Sequence, residues 1–192
     1  YRRALLGELL RHVPESGSFL DIGCGHGVFA NLLALTSAGR DVNGLDISEE
    51  KIAVARRTVG DRGNVRFLVA DAAAFVPAEK PDVATILDAL YLIPFDPQQR
   101  LIEALFGSLK EGGLLMINEV CRDRSWRFRK SVLQETVSVR LLGITSGKGF
   151  YYRSVQEWTA LLEGTGFSVR AIPRRTPNPT HLFLCRKGEG GR

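Results

Sequence analysis

The stretch Phe19-Leu20-Asp21-Ile22-Gly23-Cys24-Gly25-His26-Gly27 restricts the folds open to this chain more than any other. Phe19, Leu20 and Ile22 form a short apolar run that reads as a buried strand. The run stops in three glycines spaced G-x-G-x-G, and an apolar helical pattern (Phe29, Leu32, Leu33) follows at once. Glycine permits positive φ and lets the backbone approach a ligand with no Cβ in the way. A glycine-rich strand-to-helix turn is therefore a seat for a nucleotide-like cofactor, and it also serves elsewhere as plain punctuation between strand and helix. The spacing separates the cofactors. A dinucleotide loop, G-x-G-x-x-G, would place its last glycine where this chain has Val28. Here the third glycine comes one residue early, at Gly27. Asp21 sets a carboxylate just ahead of the loop, where a pyrophosphate would be repelled, so a less anionic ligand fits better.

The remaining chain repeats a strand-then-helix rhythm. Arg3 to His12 read as a helix ending before Pro14. Asp41 to Ile47 read as a second strand, and Ser48 as the N-cap of a helix running to about Val59. Asn64 to Asp71 and Asp82 to Asp88 read as the third and fourth strands. Asp96-Pro97 reads as an N-cap with proline at the first helical position, and Leu101, Ile102, Leu105, Phe106 and Leu109 give that helix its buried face. Gly112-Gly113 end it, and Leu114 to Glu119 read as the fifth strand. Ser154-Val155-Gln156-Glu157 is a capping box, and Gly164 to Gly166 close the helix it opens. Phe167 to Ile172 and His181 to Arg186 are the last two strands, separated by the turn Pro177-Asn178-Pro179-Thr180.

Strands alternating with helices at this spacing predict an α/β fold with a mostly parallel, doubly wound sheet. Ligands of such sheets bind beyond the carboxyl ends of the strands. Asp46, Asp71, Asp88 and Glu119 all fall at predicted strand ends. Any one of them serves equally well as a turn or capping residue; four along one edge point to a polar site.

Length and composition bound the rest. The 192 residues suit one domain, 44% apolar and 24% charged, which is ordinary for a globular chain. We expect a single domain over residues 1–187 and a loose tail at 188–192. No apolar run approaches the roughly 20 residues that span a bilayer. No signal-peptide pattern opens the sequence, and a cytoplasmic location is the expectation. Three cysteines (Cys24, Cys121, Cys185) without C-x-x-C spacing predict neither a disulfide framework nor a zinc site. The net charge of +5 admits anionic partners. Its arginines are scattered, however, with no basic tail and no RNA-binding aromatic motif, which argues against nucleic acid. Residues 121–153 interrupt the rhythm: Arg122, Arg124, Arg127, Arg129, Lys130, Arg140 and Lys148 face only Asp123 and Glu135, with Trp126 and Phe128 among them. This reads as a basic, aromatic insertion between the fifth strand and the last helix, and an ordinary solvated helix has the same pattern.

Taken together, the chain resembles the class I S-adenosylmethionine (SAM) methyltransferases, whose loop is written (D/E)-x-G-x-G-x-G. Leu109-Lys110-Glu111-Gly112-Gly113-Leu114-Leu115 is similar to the family's segment before strand five, and Glu163-Gly164-Thr165-Gly166-Phe167 to the one before strand six. The resemblance implies a Rossmann-like, seven-stranded sheet of order 3-2-1-4-5-7-6 with strand seven antiparallel. It implies that Gly23, Cys24, Gly25 and Gly27 line the methionine and ribose portion of SAM, with Asp21 near its amino group. Asp46 would take the ribose hydroxyls, Ile47 the adenine face, and Asp71 and Ala72 the adenine edge. Leu87 and Asp88 would close over the methionine end, with Tyr91 toward the substrate; His26 is as well read as a surface residue.

The resemblance implies methyl transfer to a small-molecule or carrier-bound acceptor, by O-, N- or C-methylation, releasing S-adenosylhomocysteine. A general base is needed only where the acceptor loses a proton. The candidates are Asp88, Glu119 and Tyr91, followed by Tyr152 and His181. The partner would be a small anionic metabolite, an acidic carrier protein or a phospholipid surface, and no metal site is expected. Strand four ends in Leu87-Asp88-Ala89-Leu90 and not in the base-methylating (D/N)-P-P-(Y/F) motif. A nucleic-acid methyltransferase and a non-catalytic SAM-binding module stand as the alternatives.

Overall fold

The computed structural model describes residues 2–72, 79–130, 132–133 and 149–188. Seven strands form one sheet: β1 (Gly17–Ile22), β2 (Arg40–Asp46), β3 (Val65–Val69), β4 (Val83–Leu87), β5 (Leu114–Val120), β6 (Phe167–Pro173) and β7 (Thr180–Lys187). Their order is β3-β2-β1-β4-β5-β7-β6. The first five run parallel, and β7 lies antiparallel between β5 and β6. This is the expected order, antiparallel strand included.

The helices α1 (Arg2–Leu10), α2 (Val28–Thr36), α3 (Glu49–Arg57), α4 (Phe95–Ser108) and α5 (Val155–Thr165) flank the sheet. Alternation along the strands divides the core in two. Phe19, Val42, Phe67, Val83 and Met116 meet α1, α2 and α3 through Leu9, Phe29, Leu33 and Ile52. Leu20, Ile22, Ile86, Ile117 and Phe183 meet α4 and α5 through Leu101, Ile102, Leu105, Trp158 and Leu162. Successive strand side chains point to opposite faces, so a sheet covered on both sides needs this near-continuous apolar sequence.

The helix ends follow local chemistry. Ser48 accepts the Lys51 amide to cap α3, and Ser154 with Glu157 forms the full capping box of α5. Gly166 ends α5 at φ 114, where an added Cβ would lie 2.8 Å from the Phe106 ring. One cap differs from expectation. α4 begins at Phe95, one residue before Asp96, and its N-cap Pro94 makes no side-chain capping bond. Asp96 and Pro97 instead occupy the first turn, where amides lack helical partners and proline costs no hydrogen bond. The turn is closed by the Gln98 amide donating to the Pro94 carbonyl at 2.9 Å.

β1 sits between β2 and β4, so the chain winds outward from it in both directions. Sheets wound in this way hold their ligands in a crevice beyond the carboxyl ends of the strands where the winding reverses, here β1 and β4. Much of the basic insertion, including Glu135, Arg140 and Lys148, lies outside the described residues, as do the tail residues 189–192. Among the described residues no helix is long and apolar enough to cross a membrane.

Candidate functional site

The glycine loop bridges β1 and α2 at this crevice. Gly23, Gly25 and Gly27 adopt φ values of 67, 56 and 75. Each is in the left-handed region, where a Cβ is costly. Their surroundings differ. A Cβ on Gly27 would meet the Phe67 ring at 2.5 Å, and one on Gly23 would meet the Ala89 Cβ at 2.9 Å; beside Gly25 nothing lies within 4 Å. Gly27 is thus a packing requirement, whereas Gly25 borders open space. Gly27→Ala should cost about 2 kcal/mol of stability and Gly25→Ala about 1 kcal/mol. Chemical denaturation checks the ranking, and equal losses would contradict it.

Asp46, at the end of β2, is 8% exposed and braces the loop. One carboxylate oxygen accepts the Gly25 amide at 2.9 Å, and the other accepts the Ser48 amide at 2.9 Å. Next to it Ile47 is 74% exposed, an isoleucine left uncovered at the rim. Leu68 and Val69 at the end of β3 are also part-exposed. Asp71 follows in the open, and Ala72 is half-buried against the core.

Asp21 is buried, and its Oδ1 accepts the Thr85 hydroxyl from β4 at 2.6 Å. Burial, aided slightly by the charge of Asp46, pushes its carboxyl up to about 7, against the lowering effect of the Thr85 bond. Burial likewise pushes the neighbouring Cys24 thiol up, so it is not a thiolate nucleophile at neutral pH. Cys24, Cys121 and Cys185 are free cysteines.

At the end of β4, Leu87 is half-buried and Asp88 is exposed. Asp88 takes φ 54, and no other described non-glycine residue has a positive φ. Its amide donates to the Asn118 carbonyl at 2.8 Å, and Asn118 Nδ2 donates back to its carboxylate at 3.0 Å. Glu119 is 1% exposed, and its Oε1 accepts the amides of Ala89 at 2.8 Å and Leu90 at 2.6 Å. Burial and the charge of Asp88 hold the Glu119 carboxyl well above the usual carboxylate range, although the amides of Leu90, Ala89 and Tyr91 pull it down.

Aromatic rings wall the side next to Asp88. Tyr91 stacks on Tyr152 at 5.2 Å, and Phe128 meets Tyr152 edge-on at 5.2 Å. Phe150 lies 6.0 Å from both tyrosines. Buried Gln98 ties this wall together: its Nε2 donates to the carbonyls of Leu90, Ile93 and Tyr151, and its Oε1 accepts from Arg153 at 2.8 Å. Arg122, Arg124, Arg127, Arg129 and Lys130 stand exposed on the adjoining segment. His181, opposite Glu119 in the β5–β7 register, is half-buried, and His26 is exposed on the loop.

The structure thus gathers Asp21, Gly23, Cys24, Gly25, Gly27, Asp46 and Ile47 around the carboxyl ends of β1 and β2, and Leu87, Asp88, Tyr91 and Glu119 around those of β4 and β5. Gln98, Asn118 and Thr85 escaped the sequence reading. Asn118 did leave a trace, since a polar pair ends an otherwise apolar strand. Gln98 left none, because one polar residue in a helix's first turn looks solvated.

A family described as "Methyltransferase domain" matches residues 1–172. The chain is 35% identical over 166 residues to a ubiquinone biosynthesis O-methyltransferase of Pseudomonas fluorescens, covering 83% of this chain and 68% of that protein. It is 27% identical over 127 residues to a malonyl-[acyl-carrier protein] O-methyltransferase of Ilyobacter polytropus, covering 66% of this chain and 48% of that protein. The chain spans about half the length of several curated relatives it matches. Its fold is that of magnesium protoporphyrin IX methyltransferase from Synechocystis, a structure with bound S-adenosylhomocysteine (TM-score 0.72, 21% identity, 97% of this chain and 81% of that one).

Proposed function

Because the chain belongs to the class I SAM-dependent methyltransferase family, we propose that it binds SAM in this crevice and methylates a small-molecule or carrier-bound acceptor. The observation that carries the reading is Asp46, which grips the Gly25 amide beside the open space flanking that glycine. The crevice suits SAM chemically. It offers an acid for a ribose, an uncovered isoleucine for an adenine, and a buried acid for an ammonium.

In this reading Gly23, Cys24, Gly25 and Gly27 line the cofactor, Asp46 accepts the ribose hydroxyls and Ile47 packs on the adenine. Asp71 and Ala72 meet the adenine edge, Asp21 the amino group, and Leu87 and Asp88 the methionine end. When bound, SAM supplies a methyl group already activated by its sulfonium. The protein's task is to align the acceptor and exclude water. The aromatic wall of Tyr91, Phe128, Phe150 and Tyr152 does both, and the basic residues 122–130 draw an anionic acceptor or the acidic surface of a carrier. The acceptor atom decides whether a base is required. A hydroxyl acceptor gives its proton to Asp88, with Tyr91 orienting it; a carboxylate acceptor needs no base.

Both relatives are named as O-methyltransferases, one for an acyl-carrier substrate, which favours an oxygen acceptor here. The test is calorimetry with SAM and S-adenosylhomocysteine, followed by incubation of labelled SAM with a metabolite extract and with malonyl-loaded carrier protein. Micromolar binding and label transfer are expected. No heat and no thermal stabilisation with either ligand would overturn the proposal.

A further inference from the structure

We infer that Asn118 and Glu119 are positioning residues, which set Asp88, Ala89 and Leu90 against the glycine loop, and that Glu119 acts as a neutral hydrogen-bonding group and not as a base. The inference deepens the methyltransferase reading and rests on it for its functional consequence. Its geometric part stands alone.

Asp88 sits at φ 54, a conformation that costs a non-glycine residue about 1–2 kcal/mol and persists only where neighbours impose it. The neighbours are two adjacent residues of β5. Asn118 binds Asp88 twice, by its carbonyl and its side-chain amide. Glu119 binds the next two amides with one oxygen. Four hydrogen bonds from one strand end thus fix three consecutive residues. The middle one, Ala89, abuts the loop: a Cβ on Gly23 would come within 2.9 Å of its Cβ. The hold of Glu119 on Ala89 therefore sets the spacing between the acceptor side of the crevice and the cofactor side.

The protonation state follows from what surrounds the acid. Glu119 is 1% exposed, and its other oxygen, Oε2, is buried with no hydrogen-bond partner. Directly across the β5–β7 ladder is His181, whose Nδ1 is also buried and without a partner. Residues opposite one another in an antiparallel pair share a face. A carboxylic acid at 119 has a proton to donate and an imidazole nitrogen has a lone pair to accept it, directly or through one water. A carboxylate there would leave a buried charge that no cation pairs with among the described residues.

Glu119→Gln and Glu119→Leu separate the roles. Glutamine keeps an oxygen for the Ala89 and Leu90 amides and puts an N–H where the acid carries its proton. Leucine keeps the bulk and loses every bond. Amide hydrogen exchange, read at Ala89 and Leu90 in the protein without ligand, should be slow in wild type and Glu119→Gln and at least about tenfold faster in Glu119→Leu. SAM affinity and turnover should fall about tenfold in Glu119→Leu and recover to within about threefold in Glu119→Gln. Loss of turnover in Glu119→Gln with exchange still slow would overturn the inference, because it would make the carboxylate's proton chemistry essential. Unchanged exchange in Glu119→Leu would also overturn it. Failure of wild type to bind SAM would remove the methyltransferase reading and leave the exchange comparison to test the positioning.

Discussion

Asp46→Ala should weaken SAM binding about a thousandfold, close to 4 kcal/mol, while leaving the sheet intact. Two losses combine. Asp46 accepts the Gly25 and Ser48 amides at 2.9 Å each, so alanine removes the brace on the loop tip and one support at the start of α3. In the proposed complex the same carboxylate receives two ribose hydroxyls, and charge-assisted bonds of this kind are about twice as strong as neutral ones. Asp46→Asn separates the losses. Its single carbonyl oxygen keeps one amide while its NH2 opposes the other, so an intermediate loss of about fiftyfold is expected. Calorimetry with SAM, alongside thermal melting without it, makes the measurement. If Asp46→Ala bound within tenfold of wild type, Asp46 would not belong to the cofactor site.

How much of this was readable beforehand depends on the kind of signal. The strands were legible because a sheet covered on both faces demands near-continuous apolar runs, and Phe19–Ile22, Val83–Leu87 and Leu114–Ile117 supply them; their order across the sheet was implied only by the family resemblance. The glycine loop was legible because only glycine satisfies three left-handed positions in five residues. The acids of the carboxyl edge were legible as a set, but their distinct settings were not. Asp46 braces a loop, Asp88 stands exposed at a positive φ, and Glu119 faces inward. Sequence spacing gives a residue's place along a strand and carries no information on burial by distant segments. Gln98 is the sharpest example, since it joins a turn, a helix and the segment at Tyr151 that lies 53 residues away. The start of α4 was misread for the same reason in miniature: Asp96-Pro97 is a good helix opening at either of two registers, and tertiary packing selected the earlier one.

Asp21 should make both stability and SAM affinity depend on pH, in opposite senses. Its carboxyl is raised from 3.8 to about 7 by burial, the largest cause. A folded state that prefers the neutral acid binds more protons than the unfolded chain between these values. Stability therefore falls as pH rises from about 4 to about 7 and levels off above, by about 4 kcal/mol in all if no counter-charge arrives. Asp21→Asn should flatten that slope and be the more stable form at pH 8. SAM reverses the preference, because a cationic ammonium beside Asp21 favours the ionised acid. Below pH 7 the cofactor must displace a proton to bind. Affinity should then drop about tenfold per pH unit, and binding at pH 6 should release close to one proton. Calorimetry in phosphate and in Bis-Tris at pH 6 reads that release directly, because the two buffers take up a proton with different heats. In Asp21→Asn the buffer dependence should vanish along with the pH slope of the affinity. Equal heats in the two buffers for wild type would mean that Asp21 stays protonated with SAM in place, and the ammonium would then have to be held by another group.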